Sequence, residues 1–171
     1  LTRWTWDPVG GEEALGAYTR ARFTTAEGAP SNRARHLALS AEGDLWLISD
    51  RGLSTRFASS GVWSHEEVRR LDLNLTPACL GADGLIPWAA AVDLDLDRES
   101  GEVYVAFEGA VVRLSPSGAL RCWRRGAELP NHAIRSVSVN PHPGARQGEL
   151  WAGTDGGAYR YNEALGWQGF T

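Results

Sequence analysis

The chain has no methionine and no lysine, and it holds only two cysteines, Cys79 and Cys122, among its 171 residues. All 17 basic residues are therefore arginine, scattered except at "RR" (69–70) and "RCWRR" (121–125). A nucleic-acid footprint is normally a basic domain with a basic stripe. The net charge of −4 and the scattered arginines exclude that partner. Long apolar runs are also missing. "LIPWAAAV" (85–92) falls far short of the roughly 20 residues of a membrane helix, so no membrane insertion is expected, and no signal peptide stands at the start. Position 1 is not methionine, so a processed chain or a piece of a longer product is expected. Two cysteines allow one disulfide, but two buried free thiols fit better a domain with this much core. The compartment stays open.

With 43% apolar and 22% charged residues, the composition is that of one soluble, globular domain able to bury a core. Helical periodicity is weak; "EEALGAY" (12–18) and "SHEEVRRL" (64–71) are the only candidates, both short. Self-similarity is the strong signal. Three segments align: 35–61, 90–118 and 134–166. Each opens on an alternating apolar run (Leu37 and Leu39, Val92 and Leu94, Val137 and Val139) and turns at a glycine. A second strand follows in "GDLWL", "GEVYV" and "GELWA". An acid and a glycine then make a tight turn: Asp50 to Gly52, Glu108–Gly109, Asp155 to Gly157. A third run completes the pattern in "LSTRF", "AVVRL" and "AYRY".

Period-two alternation with glycine-bearing turns reads as antiparallel strands joined by hairpins. Four strands, A to D, per repeat of this length make a β-propeller blade. In the third repeat, A covers about 135–139, B 149–154, C 158–162 and D 167–171. The fold class is all-β: a β-propeller fragment of four-stranded antiparallel meander blades, about three and a half in this chain. Residues 1–30 give strands C and D of a preceding blade, and 31–75, 76–126 and 127–171 one blade each. Further blades, from the same or another chain, are expected to complete it. Trp46, Tyr104 and Trp151 repeat at one position and are expected to pack between adjacent blades. In the B–C turns, the acid is expected to bond its own turn's backbone and the glycine to take positive φ.

The segments 23–57 ("FTTAEGAPSNRARHLALSAEGDLWLISDRGLSTRF") and 129–161 ("LPNHAIRSVSV…GELWAGTDGGAYRY") resemble the two-component regulator propeller repeat, which runs approximately F-T-x-x-D-G-L-P-x-N-x-V-x-x-I-x-x-D-x-x-G-x-L-W-x-G-T-x-x-G-L-x-R-[FY]. "GADGLIPWAAAVDLD" (81–95) matches its opening, and the middle repeat departs later at "VYVAFEGAV". The resemblance implies a bacterial sensor propeller, often periplasmic, that binds small molecules or glycans or serves as an interaction platform. No kinase, helical linker or membrane segment accompanies it here, so it supports the fold and not a signalling output.

Alternating strand directions bring the D-to-A and B-to-C connections to one side of a blade. That face collects Asn32, Arg33 and Arg35 before the first A strand, Trp88 before the second, and Asn131, His132 and Arg135 before the third. The B–C turns add Asp50, Arg51, Glu108 and Asp155. Arginine forks, amides and an indole suit carboxylate, phosphate or sugar recognition. The bland alternative is turn formers and solvated arginines. The segment 71–87 reads as a D strand with its preceding excursion rather than a lid.

Other motifs carry less. In "DLDLDRESGE" (93–102), Asp93, Asp95 and Asp97 alternate with Val92, Leu94 and Leu96, a strand pattern without calcium-loop spacing. These acids are expected to face a channel or solvent. His36, His65, His132 and His142 lack ligand spacing, "NPHPG" (140–144) is a turn, no serine sits in G-x-S-x-G, and "GTDGG" is no phosphate loop. No metal, cofactor or catalytic residue is assigned. The leading reading is a non-catalytic module that senses a ligand or holds a protein partner. The alternatives are a propeller lyase or lactonase whose site is completed by other blades, and a structural half-propeller that closes by oligomerisation.

Overall fold

The computed structural model describes residues 2–7, 17–66, 90–140 and 148–170. An antiparallel hairpin of β1 (Thr2–Asp7) and β2 (Ala17–Arg22) comes first, then a single 3-10 turn at Thr25–Glu27. Three four-stranded antiparallel sheets follow in chain order. The first holds β3 (Ala34–Leu39), β4 (Leu45–Ser49), β5 (Gly52–Arg56) and β6 (Trp63–Glu66). The second holds β7 (Asp93–Leu96), β8 (Val103–Phe107), β9 (Ala110–Leu114) and β10 (Leu120–Arg124). The third holds β11 (Ile134–Val139), β12 (Leu150–Thr154), β13 (Gly157–Asn162) and β14 (Gly166–Phe170). Of the two short helix candidates, residues 17–18 of the first lie in β2 and 64–66 of the second in β6; their other residues lie outside the described residues.

The second sheet explains why its strands read as continuous apolar runs. Every residue of β8, "VYVAF", is buried, because a neighbouring sheet covers each face. Leu94, Leu96, Val105 and Val112 share one core with Ala38, Ile48 and Leu53 of the first sheet. Tyr104, Ala106, Val111 and Trp123 share another with Ile134, Val137, Val139 and Leu150 of the third. Each large aliphatic buried this way contributes about 1.5–3 kcal/mol.

The repeated aromatic takes the same face each time. Trp46 packs on the core shared with the second sheet, and Tyr104 lies 4% exposed in the core shared with the third. Trp151 alternates with Leu150 and Ala152, which face the second sheet, so it lies on the far face, its ring 5.3 Å from that of Phe170. At the other end, Leu37 and Leu39 of β3 are 54% and 50% exposed, whereas their register equivalents Leu94 and Leu96 are both 5% exposed. The stack of three sheets thus ends in two sheet faces that no described residue covers fully.

Asp93 and Asp95 face neither a channel nor solvent alone. Asp93 Oδ1 accepts from Leu94 N at 2.9 Å and Oδ2 from Val137 N at 3.0 Å. Asp95 does the same for Leu96 N at 2.8 Å and Val139 N at 2.8 Å. The N–H groups are those of first strands, at sheet edges, which would otherwise be unpaired. Each carboxylate therefore staples the edge of its own sheet to the edge of the next.

Cys122 is disulfide-bonded, so the expectation of two free thiols does not hold. The chain's other cysteine, Cys79, lies outside the described residues, as do Trp88, the segment 71–87 and His142.

Candidate functional site

The B–C turns of the first and third sheets are built alike. The hydroxyl before the acid closes the turn: Arg51 N donates to Ser49 Oγ at 3.1 Å, and Gly156 N to Thr154 Oγ1 at 3.1 Å. Gly52 and Gly157 end these turns at φ 118° and 123°, a region closed to most side chains. With Thr154 making the turn's bonds, Asp155 is released for another partner, contrary to the expectation that it bonds its own turn.

That partner is Arg135. Register shifts between Ile134 and Ser136, and between Ala34 and His36, leave Arg135 and Arg35 as extra residues on the first strand of their sheets, and such a bulge re-aims its side chain. Arg135 grips Asp155 through two bonds of 2.8 Å and reaches Glu108 of the preceding sheet at 2.6 Å. Backbone bonds draw the same loops together: Ile134 N donates to Glu108 O at 3.2 Å and Asp155 N to Ala133 O at 3.0 Å. The Arg135 bond holds the Asp155 carboxyl below the ordinary carboxylate range, and the two acids raise the Arg135 guanidinium. The His132 ring lies against Gly156, where an added Cβ would come within 2.3 Å of it.

In the first sheet the equivalent residues are arranged differently. Asp50, at the Asp155 position, accepts a hydrogen bond from Ser31, which chiefly lowers its pKa; the nearby Arg33 and Arg51 charges act the same way. Ser31 went unread in the sequence because a serine in "APSN" signals only a turn. Asn32 turns back to Thr25, accepting from its backbone N at 3.1 Å. Arg33, Arg35 and Arg51 are exposed and make no ion pair with another described side chain. The geometry thus joins Glu108, Arg135, Asp155 and His132 in one cluster and Asp50, Arg33 and Arg51 in another. Asn131 is exposed on the loop before β11. Among the described residues, no group of three or more His, Cys, Asp and Glu is placed to hold a metal ion, and no helix is long and apolar enough to cross a membrane.

No protein-family model matches the sequence, and no curated protein matches it. Solved structures do. The chain is similar to the extracellular domain of the hybrid two component system BT4673 from Bacteroides thetaiotaomicron, with 20% identity and a TM-score of 0.53 over 80% of this chain. It spans 16% of that chain. It is also similar to virginiamycin B lyase from Staphylococcus aureus, at 10% identity and a TM-score of 0.55, over 91% of this chain and 45% of that one. The chain is part of a β-propeller. At these identities the likeness is one of fold, and at that level it agrees with the repeat resemblance read in the sequence. Propellers are closed rings of typically four to eight blades, so this propeller segment is completed by other parts.

Proposed function

We propose that this propeller segment is a non-catalytic module that recognises a small-molecule, glycan or protein ligand carrying an anionic group, on the face formed by its D–A and B–C loops. The observation that carries this reading is the contrast between two equivalent bulge arginines. Arg135 is consumed by Glu108 and Asp155, whereas Arg35, with Arg33 and Arg51 beside it, has no described acidic partner within ion-pair reach. Arginine forks of this kind match carboxylate and phosphate geometry. The sensor domain among the structural neighbours supports the same class of role, and the disulfide at Cys122 supports an oxidising compartment such as the periplasm. Titration with inorganic phosphate and with succinate, followed through the arginine Nε–Hε NMR signals, tests the proposal. Shifts confined to Arg33, Arg35 and Arg51 are expected. No shift at these three, or equal shifts at Arg135, would overturn it.

A further inference from the structure

On the opposite side of the sheets, the two junctions between neighbouring sheets are filled in different ways. At the second junction, Arg113 stands across from Tyr104, and Arg121 across from Arg113. Arg113 lies 3.5 Å from both Glu102 and Glu163, and Arg121 lies 3.0 Å from Glu163. The Arg121 guanidinium sits 4.9 Å from the Trp123 ring centre and 5.1 Å from that of Tyr161. The third sheet repeats the device: Arg160 stands across from Trp151 and lies 3.2 Å from Glu149.

The first sheet keeps the acid and the aromatic at the same registers, as Asp44 and Trp46. Its hydrogen-bond register puts Thr55 where the other sheets have Arg113 and Arg160, and Ser64 where the second has Arg121. Arg56 comes one residue later and so faces the other way, 4.6 Å over the Phe23 ring. Small hydroxyl side chains in place of two arginines open a cleft of about 390 Å³ between the first and second sheets. Trp46, Thr55 and Ser64 line it on one side and Leu96 and Leu114 on the other, with Glu42 and Asp44 in the wall and no basic residue among the described residues that line it. Thr55 is 3% exposed, and its hydroxyl makes no hydrogen bond to another described residue. Asp44 Oδ1 accepts from Ala58 N at 2.7 Å; Glu42 has no described partner.

We propose that this cleft binds a guanidinium group supplied from outside the chain, which takes the place beside acid and aromatic ring that the protein's own arginines take in the other two sheets. The volume is that of a small-ligand site, the carboxylates supply charge complementarity, and the indole face attracts a cation. A free small guanidinium compound and an arginine side chain of a partner share this chemistry.

Calorimetric titration of the chain with agmatine and with the blocked tripeptide acetyl-Gly-Arg-Gly-amide tests it. Saturable binding of either probe is expected; tighter agmatine binding assigns a free small cation, and tighter peptide binding a partner's arginine. Thr55→Arg is expected to lower affinity roughly tenfold or more by filling the place intramolecularly. Glu42→Gln, an exposed change that leaves the core intact, is expected to lower it roughly two- to fivefold. No binding of either probe, or affinities unchanged in Glu42→Gln and in folded Thr55→Arg, would overturn the proposal.

Discussion

Asp155 and Asp95 each hold two groups together, yet their surroundings give them different weight. Asp155 is half exposed in its bridge to Arg135, where solvent screens the pair. Asp95 is partly buried between two sheet edges and accepts two backbone N–H bonds, and bonds to a charged group contribute about 1.5–3 kcal/mol. Asp155→Ala should therefore lower Tm slightly with the fold intact, and Asp95→Ala should lower it clearly more, as thermal melts of the two variants can measure. The pH dependence follows the same geometry. The folded pKa of Asp155 is depressed, chiefly by its bond to Arg135, so its contribution is complete above the ordinary carboxylate value. It is lost as pH falls through the depressed folded value. Carboxyl NMR titration should show Asp155 returning to the ordinary range in Arg135→Ala. A turn acid at 155 was legible in "GTDGG"; its partner was not, although the bulge that re-aims Arg135 marks the sequence as a three-residue step, Ile134 to Val137, in an otherwise alternating run.

Strands are the scale at which the sequence was most readable. The four strands of the third sheet were read within about a residue of their ends, since alternation and turn glycines both depend on local chemistry. Register between strands is less local. Aligned by their arginines, "LSTRF" and "AVVRL" would match Arg56 to Arg113, whereas the hairpin register sets Thr55 opposite Trp46 just as it sets Arg113 opposite Tyr104. A one-residue offset exchanges the two faces of a strand, and that exchange is what opens the cleft. Likewise Asp93 and Asp95 read as strand acids, but the N–H groups they cap lie on β11, more than forty positions later. Two glycine replacements test the B–C turn. Gly157→Ala should cost about 1–3 kcal/mol in chemical denaturation, because alanine is strained at positive φ. Gly156→Ala should also destabilise, by collision with the His132 ring, and in the Gly156→Ala/His132→Ala double variant that loss should be largely recovered.

At the scale of the molecule, the two end faces differ. One presents Leu37 and Leu39, the other Trp151 and Phe170 with the Arg160 guanidinium 5.3 Å over the Phe170 ring. If these faces take up further blades or copies, light scattering should show association rising with concentration, and Leu37→Glu or Phe170→Glu should suppress it without lowering Tm. The aspartate staples add a sense of direction to such growth. Carboxylates on the second sheet meet N–H groups on the third, and at the equivalent positions of the third sheet stand Ser136 and Ser138, whose hydroxyl oxygens can accept in turn. At this junction the acceptors belong to the second sheet and the donors to the third. That junction joins two unlike sheet faces, so a copy that adds to the stack by the same bonds does so through its opposite face. Contact of that kind is heterologous, head to tail, and it closes a ring when the rotation per blade allows it.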